Sequence, residues 1–222
     1  VRSVYNDDAV GKVMSHLARY DTDIRSASYT PSDVDYLSHV PKEILDEIKC
    51  DPSRISFGPG VKIVKEGDEL RAYRLSIVHS SSGAAFDLTE ESAGTREAYE
   101  IVGTIFDSEY DDVTYVFDNF GSALHPLLVK HMVQEFIEEN RNTKNQFIIA
   151  THHTSIMTLD LYRRDEFWFI EKKGGCSVLY SLEQYEKNVR FDAVLSKGYL
   201  EGRFGALPVF DEICSSNDKC CL

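Results

Sequence analysis

What this 222-residue sequence lacks narrows its class before any motif is read. Its cysteines, at positions 50, 176, 214, 220 and 221, are odd in number and include no C-x-x-C spacing, so neither a disulfide framework nor a zinc site is indicated. A reducing cytoplasm is the expected compartment. No apolar run approaches the roughly 20 residues that cross a bilayer, and no signal-peptide pattern opens the chain, so no membrane partner is expected. Basic residues are also scarce: 24 Lys and Arg against 37 Asp and Glu leave a net charge of −13. That balance opposes a broad electrostatic grip on nucleic acid, although a local basic patch leaves such a partner open. There is no internal repeat, low-complexity segment or long heptad region.

What is present suffices for an ordinary core: 42% of residues are hydrophobic and 27% charged, which predicts one compact unit with room for a small satellite. Residues 8–19 and 33–49 space their apolar side chains as helices do, the second run interrupted by Pro41, which is expected to start a separate helix. Residues 1–50 thus read as a small helical lead. From 52 to 88 the text is rich in β-branched and aromatic residues broken by Gly and Asp, and two to four antiparallel strands are expected, with a boundary near Cys50. Beyond residue 90 the pattern alternates: a helix at 95–107, a strand at 113–117, a helix at 126–140 and a strand at 146–151. Two nearly continuous apolar strands flanking a helix predict a right-handed parallel crossover. EFWFIEK and CSVLYSL, joined through Lys173-Gly174-Gly175, read as a hairpin; residues 184–208 look helical and then irregular, and 211–222 a loose tail. The fold class is α/β, with parallel core strands, a preceding antiparallel β segment and the helical lead.

Three stretches carry chemistry-bearing residues. In YVFDNFGSALHP, Asp118 stands just past the carboxyl end of a predicted strand, where open α/β sheets face their ligands. It could hold a magnesium ion through water, or Asp118-Asn119 could simply form the turn that ends the strand. In TEESAGTREAYE, Ser92, Ala93, Gly94 and Thr95 are small residues at a helix entrance, where free N–H groups and the helix dipole attract phosphate. In isolation, an N-capped helix with Ser92 or Thr95 as cap is the plainer account of them. In IIATHHTSIM, His152 follows the end of a strand and could hydrogen-bond a terminal phosphate or a positioned water; a plain loop histidine is the alternative. A metal site on His152-His153 is disfavoured, because adjacent residues rarely point at one ion and no third ligand is evident.

The order of these stretches resembles the C-terminal half of ABC-type P-loop ATPases, the branch that includes transporter nucleotide domains and SMC-like DNA-repair ATPases. On that resemblance ESAGTRE is similar to the signature motif, with Ser92, Gly94 and Thr95 at the nucleotide and Ser92 and Gly94 contacting the γ-phosphate held by an opposite subunit. YVFDNFGSALHP looks like Walker B, with Asp118 at the metal, followed by the D-loop at Ser122, Ala123, Leu124 and His125. ATHH looks like the switch loop, with His152 as the switch histidine. LYRRDEFWFIEKKGGCSVLYSLEQY and YLEGRFGALP narrow the resemblance to bacterial AAA-family ATPases associated with abortive infection, retrons and Septu-type phage defence, over roughly residues 70–210. The resemblance implies ATP and Mg2+ as cofactors, a homodimer formed through an ATP sandwich, and a nuclease or other effector as partner.

Two departures from the family pattern stand out. The phosphate-cradling G-x-x-x-x-G-K-[ST] is absent; the nearest text, NDDAVGKV at 6–13, reads as a helix containing a chance Gly11-Lys12. The chain begins at Val1 rather than methionine and is expected to be part of a longer or split ATPase, binding ATP poorly until a P-loop-bearing N-terminal half or subunit is supplied. Asn119 occupies the position where the family carries the catalytic glutamate. An amide can hydrogen-bond water but cannot take its proton, and losing general-base help costs about two to four orders of magnitude in rate. Catalysis, if any, thus falls to Asn119 and His152, and the isolated chain is expected to be a slow or inactive ATPase. A different class, a non-hydrolysing interaction module or scaffold for an effector, fits both departures as well. An SMC-like DNA-binding head is disfavoured by the charge and the lack of heptads.

Overall fold

The computed structural model describes residues 7–20, 23–51, 57–58, 60–106, 112–185 and 194–208. The chain forms two units, residues 1–153 and 154–222.

The first unit begins with helix α1 (Asp7–Leu17), strand β1 (Ile24–Pro31) and helix α2 (Lys42–Cys50). Gly11-Lys12 lies inside α1, as the sequence suggests for a chance pair. The helix anticipated over 33–49 forms only its second half. Before Pro41 the chain turns, with Ser32 Oγ accepting from the Val34 amide and Asp35 Oδ1 accepting from those of Leu37 and Ser38. Side chains that satisfy local backbone donors favour turns over helix, and α2 starts once Pro41 has set an extended entry.

Strand β1 is the element that the helical reading of residues 1–50 missed. IRSASYTP carries little apolar alternation, and it pairs antiparallel with β3 (Glu69–His79), which on its other side pairs with β2 (Val61–Glu66). A short β4 (Ala85–Asp87) also joins β3, completing the expected antiparallel segment. Val61 and Ile63 on β2 alternate inward and pack with Ile48 of α2.

The strand-helix-strand unit follows. Helix α3 (Ala93–Ile105) buries Ala98, Ile101, Val102 and Ile105, the stripe its periodicity predicts, and packs against α1. Strand β5 (Thr114–Phe117) and strand β6 (Gln146–Ile149) pair in parallel, connected through α4 (Pro126–Glu139), as the apolar runs predict. One face of this pair is closed: Tyr115, Phe117 and Phe147 meet Phe120 of the following turn and Phe136 of α4 in an aromatic cluster, edge-on except for the tilted Phe136–Phe147 pair. The other face is bare, with Val116 70% and Ile148 55% exposed.

Helix α1 is tied to α4 by a buried polar group. Glu135, on the otherwise apolar face of α4, accepts from the Tyr20 hydroxyl and lies 3.2 Å from Arg19 Nη2. His16 stacks on Phe106 with centroids 4.1 Å apart, and its Nδ1 accepts from Arg19. Burial, helped by Arg19, holds the His16 pKa below its ordinary 6.5, although Glu139 and Glu135 pull the other way. The unfolded chain therefore takes up this proton more readily than the native one, so the His16 contribution to stability is intact above pH 6.5 and is lost as pH falls below it. Urea midpoints measured from pH 7 downward should decline across this window, and His16→Phe, which can keep the stack on Phe106, should flatten that decline.

The second unit is built on the hairpin β7 (Trp168–Lys173) and β8 (Cys176–Ser181), closed by Gly174-Gly175 as expected. A short helix α5 (Leu182–Tyr185) follows directly, and α6 (Leu195–Leu200) comes later. Phe169, Leu182, Leu195 and Phe204 form its core. The late YLEGRFGALP is fastened to the hairpin where Tyr180 donates to the Phe204 carbonyl at 2.8 Å. The anticipated tail at 211–222 lies outside the described residues. Among the described residues no helix is long and apolar enough to cross a membrane.

Candidate functional site

Parallel pairing decides where the site can be. The register Phe117 with Ile149 brings the carboxyl ends of both core strands to one edge, so Asp118 and the 150–153 loop emerge side by side. Three hydrogen bonds then stitch the two turns together. The Phe120 amide donates to the Ala150 carbonyl at 2.9 Å, the Thr151 hydroxyl donates to the Phe120 carbonyl at 2.7 Å, and His153 Nε2 lies 2.6 Å from the Gly121 carbonyl. His153 thus faces inward while His152 is exposed. Asp118 and Asn119 are also exposed, and Asn119 has left-handed backbone with φ of 57°. Asparagine is among the few residues with a side chain that adopt this conformation readily.

The helix entrance meets the same turn. Ser92 caps α3, its Oγ accepting from the Thr95 amide at 3.0 Å and lying 2.9 Å from the Thr95 hydroxyl. Gly94 stands where the loop crosses the first turn of α3: a Cβ there would come within 3.0 Å of the Ala123 carbonyl oxygen. One turn on, Glu97 accepts from the amides of Ser122 at 3.0 Å and Ala123 at 2.6 Å, using both carboxylate oxygens. His125 closes the loop as the N-cap of α4, its Nδ1 accepting from the Leu127 amide. The helix entrance, through Gly94 and Glu97, and the strand-end loop, through Thr151 and His153, thus each contact the segment 118–125.

A groove of about 420 Å³ runs beside this junction, lined by Ala93, Arg96, Glu97, Glu100, Ser122 and Ala123. Burial and then the neighbouring Glu97 raise the Glu100 carboxyl above its ordinary range, against the pull of Arg96. Among the described residues no group of three or more His, Cys, Asp or Glu side chains could hold a metal ion. A lone exposed carboxylate such as Asp118 suits magnesium, which keeps most of its water and takes one or two carboxylates plus phosphate oxygens, better than it suits an all-protein cage.

Sequence reasoning missed Glu97, Thr151 and His153. Glu97 lies on the polar side of an amphipathic helix, where an acid ordinarily reads as solvated. Its acceptor role depends on a loop 25 residues away. Thr151 and His153 adjoin the residue that drew attention, and only the path of the 118–121 turn selects them as the bonded ones.

Residues 13–158 match the protein family described as "AAA domain, putative AbiEii toxin, Type IV TA system". None of the curated proteins matches the chain. Among solved structures, the crystal structure of an Smc head domain with a coiled coil and joint from Pyrococcus yayanosii is similar in fold. It matches with TM-score 0.51 and 12% identity over 88% of this chain, which spans 29% of that one. A structure from work on ATP-driven dimerization and DNA-stimulated activation of SMC ATPases matches with TM-score 0.43 and 16% identity, over 66% of this chain and 83% of that one. The architecture is thus similar to that of an Smc head domain, an α/β fold.

Proposed function

The chain belongs to this family of AAA-type P-loop ATPases, and from that premise we propose that it forms the signature, Walker B and switch portion of an ATP-binding ATPase that works by nucleotide-driven head-to-tail pairing. In the pairing, Ser92, Gly94 and Thr95 serve a nucleotide held by the P-loop of the opposite subunit. Asp118 and His152 serve one held by a P-loop-bearing half of their own subunit, with Asp118 as the protein ligand of its magnesium and Ser122 to His125 facing the partner. ATP with magnesium supplies the phosphoanhydride chemistry. This chain's residues position it: Asp118 offers a hard oxygen ligand, Asn119 hydrogen-bonds a water without removing its proton, and the exposed His152 reaches a terminal phosphate.

What supports this is the parallel register that sends Asp118 and the His152 loop to one edge, with the α3 entrance fastened beside them. The bare Val116 and Ile148 face favours the supplied half, because parallel sheets are ordinarily covered on both faces. By the likeness of the late YLEGRFGALP stretch, the biological setting is phage defence, with an effector such as a nuclease as the controlled partner, in the cytoplasm. Residues 51–210 are the C-terminal half of the ATPase domain, to which the lead of residues 1–50 also belongs. Titrating ATP with Mg2+ into the chain alone and into the chain mixed with a P-loop-bearing N-terminal half should show tenfold or greater tightening in the mixture. Equal binding in the two titrations would sink the proposal.

A second reading, a non-hydrolysing module that scaffolds an effector, is favoured by the Asn119 backbone. A left-handed turn suits asparagine better than glutamate, so the residue has a structural reason to stand there apart from any catalysis.

A further inference from the structure

Resting on the pairing proposed above, we infer that Glu97 is a positioning residue that clamps the 122–124 loop to the first turns of α3, so that both present themselves to a partner as one rigid surface. The carboxylate is bidentate toward the loop. Oε1 accepts from the Ser122 amide at 3.0 Å and lies 3.4 Å from its hydroxyl, while Oε2 accepts from the Ala123 amide at 2.6 Å. A charged acceptor serving two successive backbone donors is a strong local restraint. Its fixed end is sound, because Ala98, Ile101 and Val102 anchor the same helix in the core. The contact is also close on the backbone side, where a Cβ at Gly94 would come to 3.0 Å from the Ala123 carbonyl oxygen.

The remaining local support of the loop is weaker. The Ser122 amide reaches the Asn119 carbonyl only at 3.3 Å, and Leu124 closes a turn onto the Gly121 carbonyl at 2.9 Å. The segment 122–123 therefore depends on Glu97 for its placement relative to Ser92 and Gly94. With the carboxylate turned to the loop, Ser92, Ser122, Ala123 and His125 stay exposed. A surface read by a partner gains from such fixing, since an ordered loop loses less freedom on association.

The test uses the full chain and its Glu97→Ala and Glu97→Gln variants. Amide exchange at Ser122 and Ala123 should quicken about tenfold or more in Glu97→Ala. In Glu97→Gln the change should be intermediate, since one amide oxygen can replace one of the two acceptors. Val133 and Phe136, in the interior of α4, should exchange as before. With the P-loop-bearing half supplied, ATP-dependent pairing should weaken about tenfold in Glu97→Ala, while ATP affinity below the pairing concentration changes less than about twofold. A residue that mattered only for folding would lower both together. Unchanged exchange at Ser122 and Ala123, or quickened exchange with pairing intact, overturns the inference. Failure of the unsubstituted chain to pair would count against the pairing and the role of Glu97 in it, while exchange alone would still report whether the clamp exists.

Discussion

Replacing Asn119 with glutamate should raise ATP turnover by about two to four orders of magnitude in the chain joined by a P-loop-bearing half, measured as phosphate release at saturating nucleotide. The amide at this position can hold a water by hydrogen bonding but cannot accept its proton, and a carboxylate can. The position is next to Asp118 at the carboxyl edge of the parallel strands, where the attacking water would lie on the proposed reading. The same substitution should lower stability. At φ of 57° a longer side chain without local backbone hydrogen bonding costs about 1–2 kcal/mol, so the urea midpoint should fall as turnover rises. Asn119→Asp separates the two effects: aspartate tolerates this backbone, so it should retain the midpoint, while its shorter reach gives a smaller gain in rate. If the folded glutamate variant shows no increase, the non-hydrolysing module becomes the better account.

Gly121→Ala should be the more damaging change to the site as a structure. Two costs coincide there. The residue has φ of 76°, and an added Cβ would lie 2.5 Å from Cγ2 of Val129, a fully buried and rotationally stiff side chain of α4. Left-handed backbone costs about 1–2 kcal/mol for a residue with a side chain, and overpacking a tight interior about 1–3 kcal/mol. A loss of about 2–5 kcal/mol is expected, a large part of the roughly 5–15 kcal/mol that holds a domain folded. Equilibrium urea unfolding measures it. The clash share can be isolated by adding Val129→Ala, which opens the space: the double variant should lose less than the sum of the single losses. Strict additivity would show that Gly121 and Val129 do not meet as described. Because His153 leans on the Gly121 carbonyl, the same variant should also loosen the 150–153 loop.

The parts of the molecule that were legible beforehand are those governed by short periods. Apolar spacing along 126–139 and the unbroken runs TYVF and QFII imply a helix between two parallel strands, the pattern of a crossover unit. With the crossover known, Asp118 at a carboxyl edge follows, and so does the helix entrance at Ser92. What no period reports is which polar group meets which. β1 was unreadable because its stability comes from pairing with β3, some fifty residues on, rather than from alternation of its own. Glu135 likewise meets Tyr20, a partner 115 residues away in sequence.

The sequence by itself determined the α/β crossover, the order of the three motif-like stretches and the identity of Asn119, because each is written in local composition and spacing. Only the tertiary structure decided that these stretches share the segment 118–125, that His153 rather than His152 is bonded there, and that Glu97 fastens the loop. It also placed Asn119 in a left-handed turn. The physical reason is the same in each case: a hydrogen bond or a close backbone approach joins residues that only chain folding brings within 3 Å or so.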